Sequence, residues 1–305
     1  MTSIKTTSIK TISPKMTDPT QAKSPDLQAM PKITEAGVNQ QLESFWLPLY
    51  GRSLETLRED ALLCDPLAVQ WVQKIERDWK PYTHRRISQL AYVLRSSCFD
   101  QMVTNFLQIY PNAQVINVGA GLCTRLWRVD NGQLHWYDVD TFAAIRLRQQ
   151  LVKPCDRLSL LPRLITDLNW VNQIAADNAR PTLVVMEGVS MYQSEAQNQD
   201  LLQALQQRFG CLQVLMDVIH PKFVPPFASL EQQLSEGTFQ WGLAEISDLN
   251  RWKNDGLKLQ VISVHEYLCN MIHYPARLEP WMTHFPQVLS PLLKDSAQII
   301  QLQLG

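Results

Sequence analysis

The sequence predicts an α/β protein: a doubly wound, mostly parallel sheet of seven strands with helices ahead of it. Three observations carry this. Between Pro111 and Asp217, five short and nearly continuous apolar runs alternate with segments long enough for a crossover helix, the pattern of parallel strands buried on both faces. Two later runs, 257–264 and 296–304, alternate only in part, as strands of an antiparallel edge do. Ahead of Pro111, apolar residues recur every three or four positions without strand-like alternation, which is the helical period. With 305 residues and 45% hydrophobic content, the chain suffices for one large, well-buried domain, and disordered or fibrous classes are excluded.

Taken in order, residues 1–36 are rich in Thr, Ser, Lys and Pro, repeat TSIK from Thr2 and Thr7, and hold no acid before Asp18. Such a composition cannot offset its ordering entropy, so a disordered tail is expected and the domain spans 37–305. Residues 37–110 read as helices in LESFWLPLYGRSLETL, DPLAVQWVQKI and ISQLAYVLRSSCFDQMVTNFLQIY, with Trp46, Trp71 and Trp79 as packing residues. Residues 111–220 carry the strands AQVINVG (113–119), QLHWYDVD (133–140), LLPRLIT (160–166), PTLVVME (181–187) and CLQVLMD (211–217). Residues 221–305 hold the Pro-broken HPKFVPPFASL, a helix through SLEQQLSEG, and the two late strands LKLQVISV and SAQIIQLQL.

Twenty-eight Lys and Arg against 29 Asp and Glu leave a net charge of -1. No long-range field recruits nucleic acid or an anionic membrane, so a partner must be recognised locally, in a pocket. The six cysteines stand singly, with no CxxC pair, which argues against a disulfide framework or a metal site and for a reducing compartment. No apolar run is long enough to span a bilayer, and the first residues lack a signal-peptide core; a cytoplasmic protein is expected.

The chemistry-bearing residues gather at strand ends. The first strand closes on Gly119, Ala120 and Gly121, and a glycine pair there lets backbone N–H groups approach a ligand at the mouth of the sheet. The third glycine of the dinucleotide fingerprint is replaced by Thr124, which counts against a nicotinamide dehydrogenase. The second strand ends in Asp138 and Asp140, 19 and 21 residues after Gly119. Either is placed to accept hydrogen bonds from ribose hydroxyls, or to cap the next helix, and alternation puts both on one side. A glycine loop with a strand-two acid reads as nucleoside binding, and without a diphosphate cradle S-adenosylmethionine suits it better than NAD. Asp167, beside Thr166 and Leu168, is placed to accept the exocyclic amine of adenine, while Glu187, directly after a buried strand, is either a pocket group or a cap.

The set VINVGAGLCTR, HWYDVD, TDLNW and VVMEGVSMY, in this order and spacing, resembles the leucine carboxyl methyltransferase family. That family includes the phosphatase carboxyl methyltransferase and bacterial enzymes that methylate carboxylates of natural products. Upstream, Arg52 and Glu55 ahead of Asp65-Pro66 match the family's Arg-x-x-Glu element, and Arg95 matches the arginine on the helix before the first strand; the match covers roughly residues 40–220. The resemblance implies a Rossmann-like class I methyltransferase using S-adenosylmethionine. Residues 37–110 would be a helical lid over the cofactor mouth, 111–220 the cofactor-binding core, and 221–305 the substrate wall and edge strands. It implies that Arg95 pairs with the cofactor's carboxylate, that Gly119, Ala120 and Gly121 lie against its amino-acid portion, and that Asp140 rather than Asp138 binds the ribose. Asp167 and Leu168 would frame the adenine, and Glu187 would sit near the amino group.

Three positions depart from the family pattern: Cys123 for Asp, Asn169 for Arg, and Ser190 for Leu, the last expected to make the pocket wall more polar. The expected reaction is methyl-ester formation on the carboxylate of a small metabolite or peptide end. A carboxylate is already ionised at neutral pH, so no general base and no metal are required. Tyr192, His220 and Arg52 are the candidates for orienting the acid, and His220 reads equally well as a turn residue before Pro221. The alternatives are transfer to a phenol or amine, and a non-catalytic scaffold that keeps the fold.

Overall fold

The computed structural model describes residues 33–34, 43–153, 155–176, 180–225, 239–254, 256–278 and 293–305. The first part holds β1 (Ile33–Thr34), α1 (Glu43–Thr56), α2 (Pro66–Lys74), β2 (Ile75–Glu76), α3 (Lys80–Thr83) and α4 (Arg86–Ile109). α2 begins where its sequence dictates: Pro66 occupies the first turn, and the Asp65 carboxylate accepts the Ala68 N–H at 3.0 Å, which satisfies a donor the helix cannot. β1 pairs in parallel with β2, Ile33 opposite Ile75. The predicted tail thus reaches into a strand at residues 33–34, and the rest of 1–36 lies outside the described residues.

The sheet comprises β3 (Gln114–Val118), β4 (His135–Asp140), β5 (Leu158–Pro162), β6 (Thr182–Met186), β7 (Leu212–Ile219), β8 (Leu259–Glu266) and β9 (Ala297–Leu304). Between them run α5 (Arg125–Val129), α6 (Phe142–Leu151), α7 (Glu195–Phe209) and α8 (Asn250–Asn254). The strand order is β5-β4-β3-β6-β7-β9-β8. The first five strands are parallel, and β9 runs antiparallel to both its neighbours. Seven strands, mostly parallel, agree with the sequence. The last strand, however, lies inside the sheet between β7 and β8, and β8 alone forms that edge. β9 buries Ile299 and Ile300 on opposite faces, so its partial alternation reflects glutamines among apolar residues rather than an exposed edge. The third strand also ends earlier than expected, at Pro162, with Leu164 to Asp167 in the turn beyond it.

α4 packs Phe99, Val103 and Phe106 against Val115, Leu183 and Leu215 on one face of the sheet. Ile116, Val184 and Met216 meet Leu201 and Leu205 of α7 on the other. A third cluster joins Trp46, Leu49 and Trp71 of α1 and α2 to Leu122 of the glycine loop and Leu147 of α6. Burying such side chains stabilises by about 1.5–3 kcal/mol each, and here it fixes the N-terminal helices over the end of the sheet. Trp46 and Trp71 are core residues as expected, and Trp79 stacks on Tyr50 at 5.5 Å. The expected helix through SLEQQLSEG and residues 226–230 of the Pro-broken stretch lie outside the described residues. Among the described residues, no helix is long and apolar enough to cross a membrane.

Candidate cofactor and substrate site

The chain reverses its winding between β3 and β6, and a cavity of about 230 Å³ opens where their carboxyl ends part, the ligand position of open α/β sheets. Its floor is the glycine loop. Gly119 has φ 66° and Gly121 φ 43°; a Cβ on Gly119 would overlap Val189 Cγ2, and one on Gly121 would lie 2.9 Å from the Phe45 ring of α1. Arginines hold the loop from behind: Arg148 Nη1 donates to the carbonyls of Gly121 (3.0 Å) and Cys123 (2.7 Å), and Arg52 Nη2 to that of Leu122 (2.8 Å). Gly119→Ala is expected to cost about 1–3 kcal/mol through the positive φ alone, read as a lower urea midpoint; an unchanged midpoint would mean that the loop has room to relax.

The two acids of β4 part company. Asp138 is fully buried and accepts from Asn117 Nδ2 (2.7 Å), Trp136 Nε1 (2.8 Å) and Arg148 Nη2, so it is a structural anchor. Asp140, at the strand tip, accepts the Gly121 N–H on Oδ2 at 2.7 Å and the Thr141 N–H on Oδ1 at 2.6 Å. Each oxygen keeps a further lone pair. Burial pushes its carboxyl above the ordinary range.

A chain of ion pairs encircles the loop. Arg52 Nε (2.9 Å), Arg128 Nη1 (2.8 Å) and Thr124 Oγ1 all donate to Asp65 Oδ2. Asp100 accepts from Arg128 Nε (2.6 Å) and Arg125 Nε (2.7 Å). Arg125 Nη2 reaches Glu187 Oε2, and Glu187 Oε1 accepts from Arg95 Nε (3.1 Å) and Ser96 Oγ (2.8 Å). Arg95 Nη1 donates to Asp217 Oδ2 at 3.2 Å, and Asp217 Oδ1 takes the Gly188 N–H at 2.7 Å. Burial opposes the charge on Glu187, but Arg125 and Arg95 outweigh it and hold its carboxyl well below the usual range. Asp217 goes the other way: burial and the neighbouring Glu187 raise it despite Arg95.

The Glu187 shift has a pH consequence. A carboxyl depressed in the folded state stabilises above its unfolded value, near pH 4.3, and that stability is lost as pH falls below it. The urea-unfolding free energy is therefore expected to fall with acidification below about pH 4.5, and Glu187→Gln should flatten that slope. An unchanged slope in the variant would place the acid sensitivity elsewhere.

Of the residues singled out in the sequence, Arg52, Arg95, Gly119, Ala120, Gly121, Glu187 and Tyr192 line the cavity. Asp140 touches it through the Gly121 amide. Arg52 commits its Nε to Asp65 and its Nη2 to the Leu122 carbonyl, so part of its guanidinium serves the fold. His220 is not on the cavity wall: alternation along β7 turns Asp217 and Ile219 inward, while His220 sits beside Val218 and accepts the Lys222 N–H at 3.1 Å, the turn reading. Asp167 is exposed and caps its own turn through the Asn169 N–H (3.3 Å) and Nδ2 (2.8 Å), and neither it nor Leu168 lines the cavity. Ser190 does not add polarity to the wall; it is fully buried and donates to the Asp217 carbonyl. Asp217 and Arg125 were not foreseen, although an acid closing the fifth apolar run gives the same signal as Asp140 and Glu187.

Away from the charged end the lining becomes apolar and aromatic: Met191, Tyr192, Ile219, Phe239, Leu268 and Met271. This sheet order, glycine loop and strand-tip acid define the class I S-adenosylmethionine-dependent methyltransferase fold. A solved structure of a DUF574-family protein from Streptomyces avermitilis shares that fold, with a TM-score of 0.51 at 12% identity, covering 75% of this chain and 92% of that one. Residues 46–206 match the leucine carboxyl methyltransferase family model, and the chain belongs to that family. A curated relative, the tetracenomycin polyketide synthesis O-methyltransferase TcmP of Streptomyces glaucescens, is 26% identical over 72% of this chain and 80% of its own length.

Proposed function

We propose that this S-adenosylmethionine-dependent methyltransferase esterifies the carboxylate of an apolar small molecule. The observation that carries the proposal is the chemistry of the cavity wall. Among its described residues there is no histidine or lysine, and both acids, Glu187 and Asp217, are already paired with Arg95. A phenol or an ammonium would have to surrender a proton to such a base; a carboxylate has none to surrender at neutral pH. The reaction then forms one bond, carboxylate oxygen to methyl carbon, and breaks one, methyl carbon to sulfur, whose electron pair returns to sulfur. No proton moves, and the residues are left to align and desolvate the reactants. The relative named for polyketide synthesis supports an apolar natural-product acid, which the Met191 to Met271 wall would accept.

The residues fit the cofactor, which supplies an activated methyl group when bound. Gly119 and Gly121, on either side of Ala120, would let its amino-acid portion lie close against the loop backbone. Arg95 would hold its carboxylate with N–H groups beyond the two already used, Glu187 would take its amino group, and the free lone pairs of Asp140 would accept the ribose hydroxyls. Asp167 and Leu168, on the turn beyond β5, remain the proposed adenine contacts, with Tyr192 at the acceptor end.

The test is a screen of apolar acids with methyl-labelled cofactor and the full chain. The expected product releases methanol in mild alkali. An alkali-stable methyl group would overturn the carboxylate reading in favour of a phenol or amine. Calorimetry showing no heat with either cofactor or demethylated product would favour a scaffold without catalysis.

A further inference from the structure

Tyr267 follows β8 and is 6% exposed, within the cluster that packs α4 on the sheet. Its side chain lines the cavity beside Asp217, Ile219, Leu268 and Ala297, where the charged end meets the apolar end. Among the described residues its hydroxyl has no hydrogen-bond partner, yet it is not one of the polar atoms sealed into the interior. A residue that lines the cavity, with a hydroxyl neither bonded nor sealed off, keeps that O–H accessible from the cavity. Arg95, Asp217 and Glu187 are near enough to influence its ionisation.

We propose that the Tyr267 hydroxyl binds the substrate, donating a hydrogen bond to the carboxylate oxygen that does not attack and so aiming the other at the methyl carbon. This rests on the carboxylate reading above. Burial, followed by Asp217, raises the phenol's ionisation range, which keeps the group a donor and excludes it as a phenolate base or nucleophile. The ring shares a buried cluster and the cavity wall with Leu268 and Met271, so the same residue joins the apolar recognition of the substrate body to the polar recognition of its acid.

Tyr267→Phe keeps the ring and removes only the donor. With the acid found in the screen, kcat/KM is expected to fall about tenfold or more, the loss of a hydrogen bond to a charged group, while calorimetric affinity for the demethylated cofactor stays within about twofold. Binding to the cofactor-loaded protein is then compared for that acid and for the same molecule lacking its carboxyl group. Loss confined to the acid supports the assignment, and equal loss for both would reduce Tyr267 to a packing residue. An alkali-labile wild-type product with an unaltered variant overturns the Tyr267 assignment alone, whereas an alkali-stable wild-type product overturns the carboxylate reading and this inference with it.

Discussion

Arg125→Met is expected to lower the unfolding free energy by about 3–5 kcal/mol at neutral pH, the cost of breaking a buried ion pair from one side. Arg125 is fully buried, donates to Asp100 at 2.7 Å and to Glu187, and lies 5.3 Å from the Phe99 ring centroid. Methionine fills much of the volume, so the loss reports on the two carboxylates that each lose one cationic partner rather than on a cavity. The sign with pH follows: without Arg125 the Glu187 carboxyl rises, so the deficit relative to wild type should shrink as pH falls and Glu187 protonates. Urea titrations of both proteins at neutral and acidic pH check this. A deficit under about 1 kcal/mol at pH 7 would mean that Arg95 and Ser96 suffice to hold Glu187.

Such a cost is the obverse of what the ion chain provides. Four arginines and four acids from α1, α4, α5, β6, β7 and their flanking loops meet around one glycine loop. Each is anchored by at least two partners, which spreads the entropic cost of ordering long side chains and leaves the loop rigid before any ligand arrives. The Arg-x-x-Glu element noticed in the sequence divides its work. Arg52 enters this chain, while Glu55 accepts Arg277 Nη2 at 2.6 Å and the Leu62 N–H at 2.7 Å, tying α1 to the turn around residue 277.

The parallel strands were legible because burial on both faces leaves continuous apolar runs, and the strand-tip residues Gly119, Gly121, Asp140 and Glu187 were legible because each follows such a run. The ion chain was not, since its members are far apart in sequence and nothing local distinguishes Arg125 or Asp100 from a solvated charge. Tyr267 was hidden for a sharper reason. β8 carries a bulge between Val261 and Ser263, and one extra residue reverses which parity faces which side. Leu259 and Val261 belong to the α7 face, whereas beyond the bulge His265 stands opposite Ile299, on the α4 face. Simple alternation from Leu259 would have turned Tyr267 away from the site. The choice between Asp138 and Asp140 likewise depended on partners, Arg148 and Trp136, that no spacing could reveal.

Asp140→Asn should separate binding from stability most clearly. The carboxylate is 4% exposed, and burial already raises its ionisation range, so its charge is a strain on the fold at neutral pH that the Gly121 and Thr141 amides offset only in part. A raised carboxyl contributes stability below its unfolded pKa that is lost as pH rises through the folded one. Removing the charge is therefore expected to leave the urea midpoint at pH 7 unchanged or higher, provided the amide oxygen turns toward Gly121. Cofactor affinity is expected to move the other way. Two hydrogen bonds to a charged acceptor, each worth about 1.5–3 kcal/mol, become at most one to a neutral amide, and calorimetry should show a Kd for the demethylated cofactor at least about tenfold weaker. Wild-type affinity in this variant would remove Asp140 from the ribose site. A large fall in the urea midpoint would instead make it a loop anchor first, whose charge the fold needs.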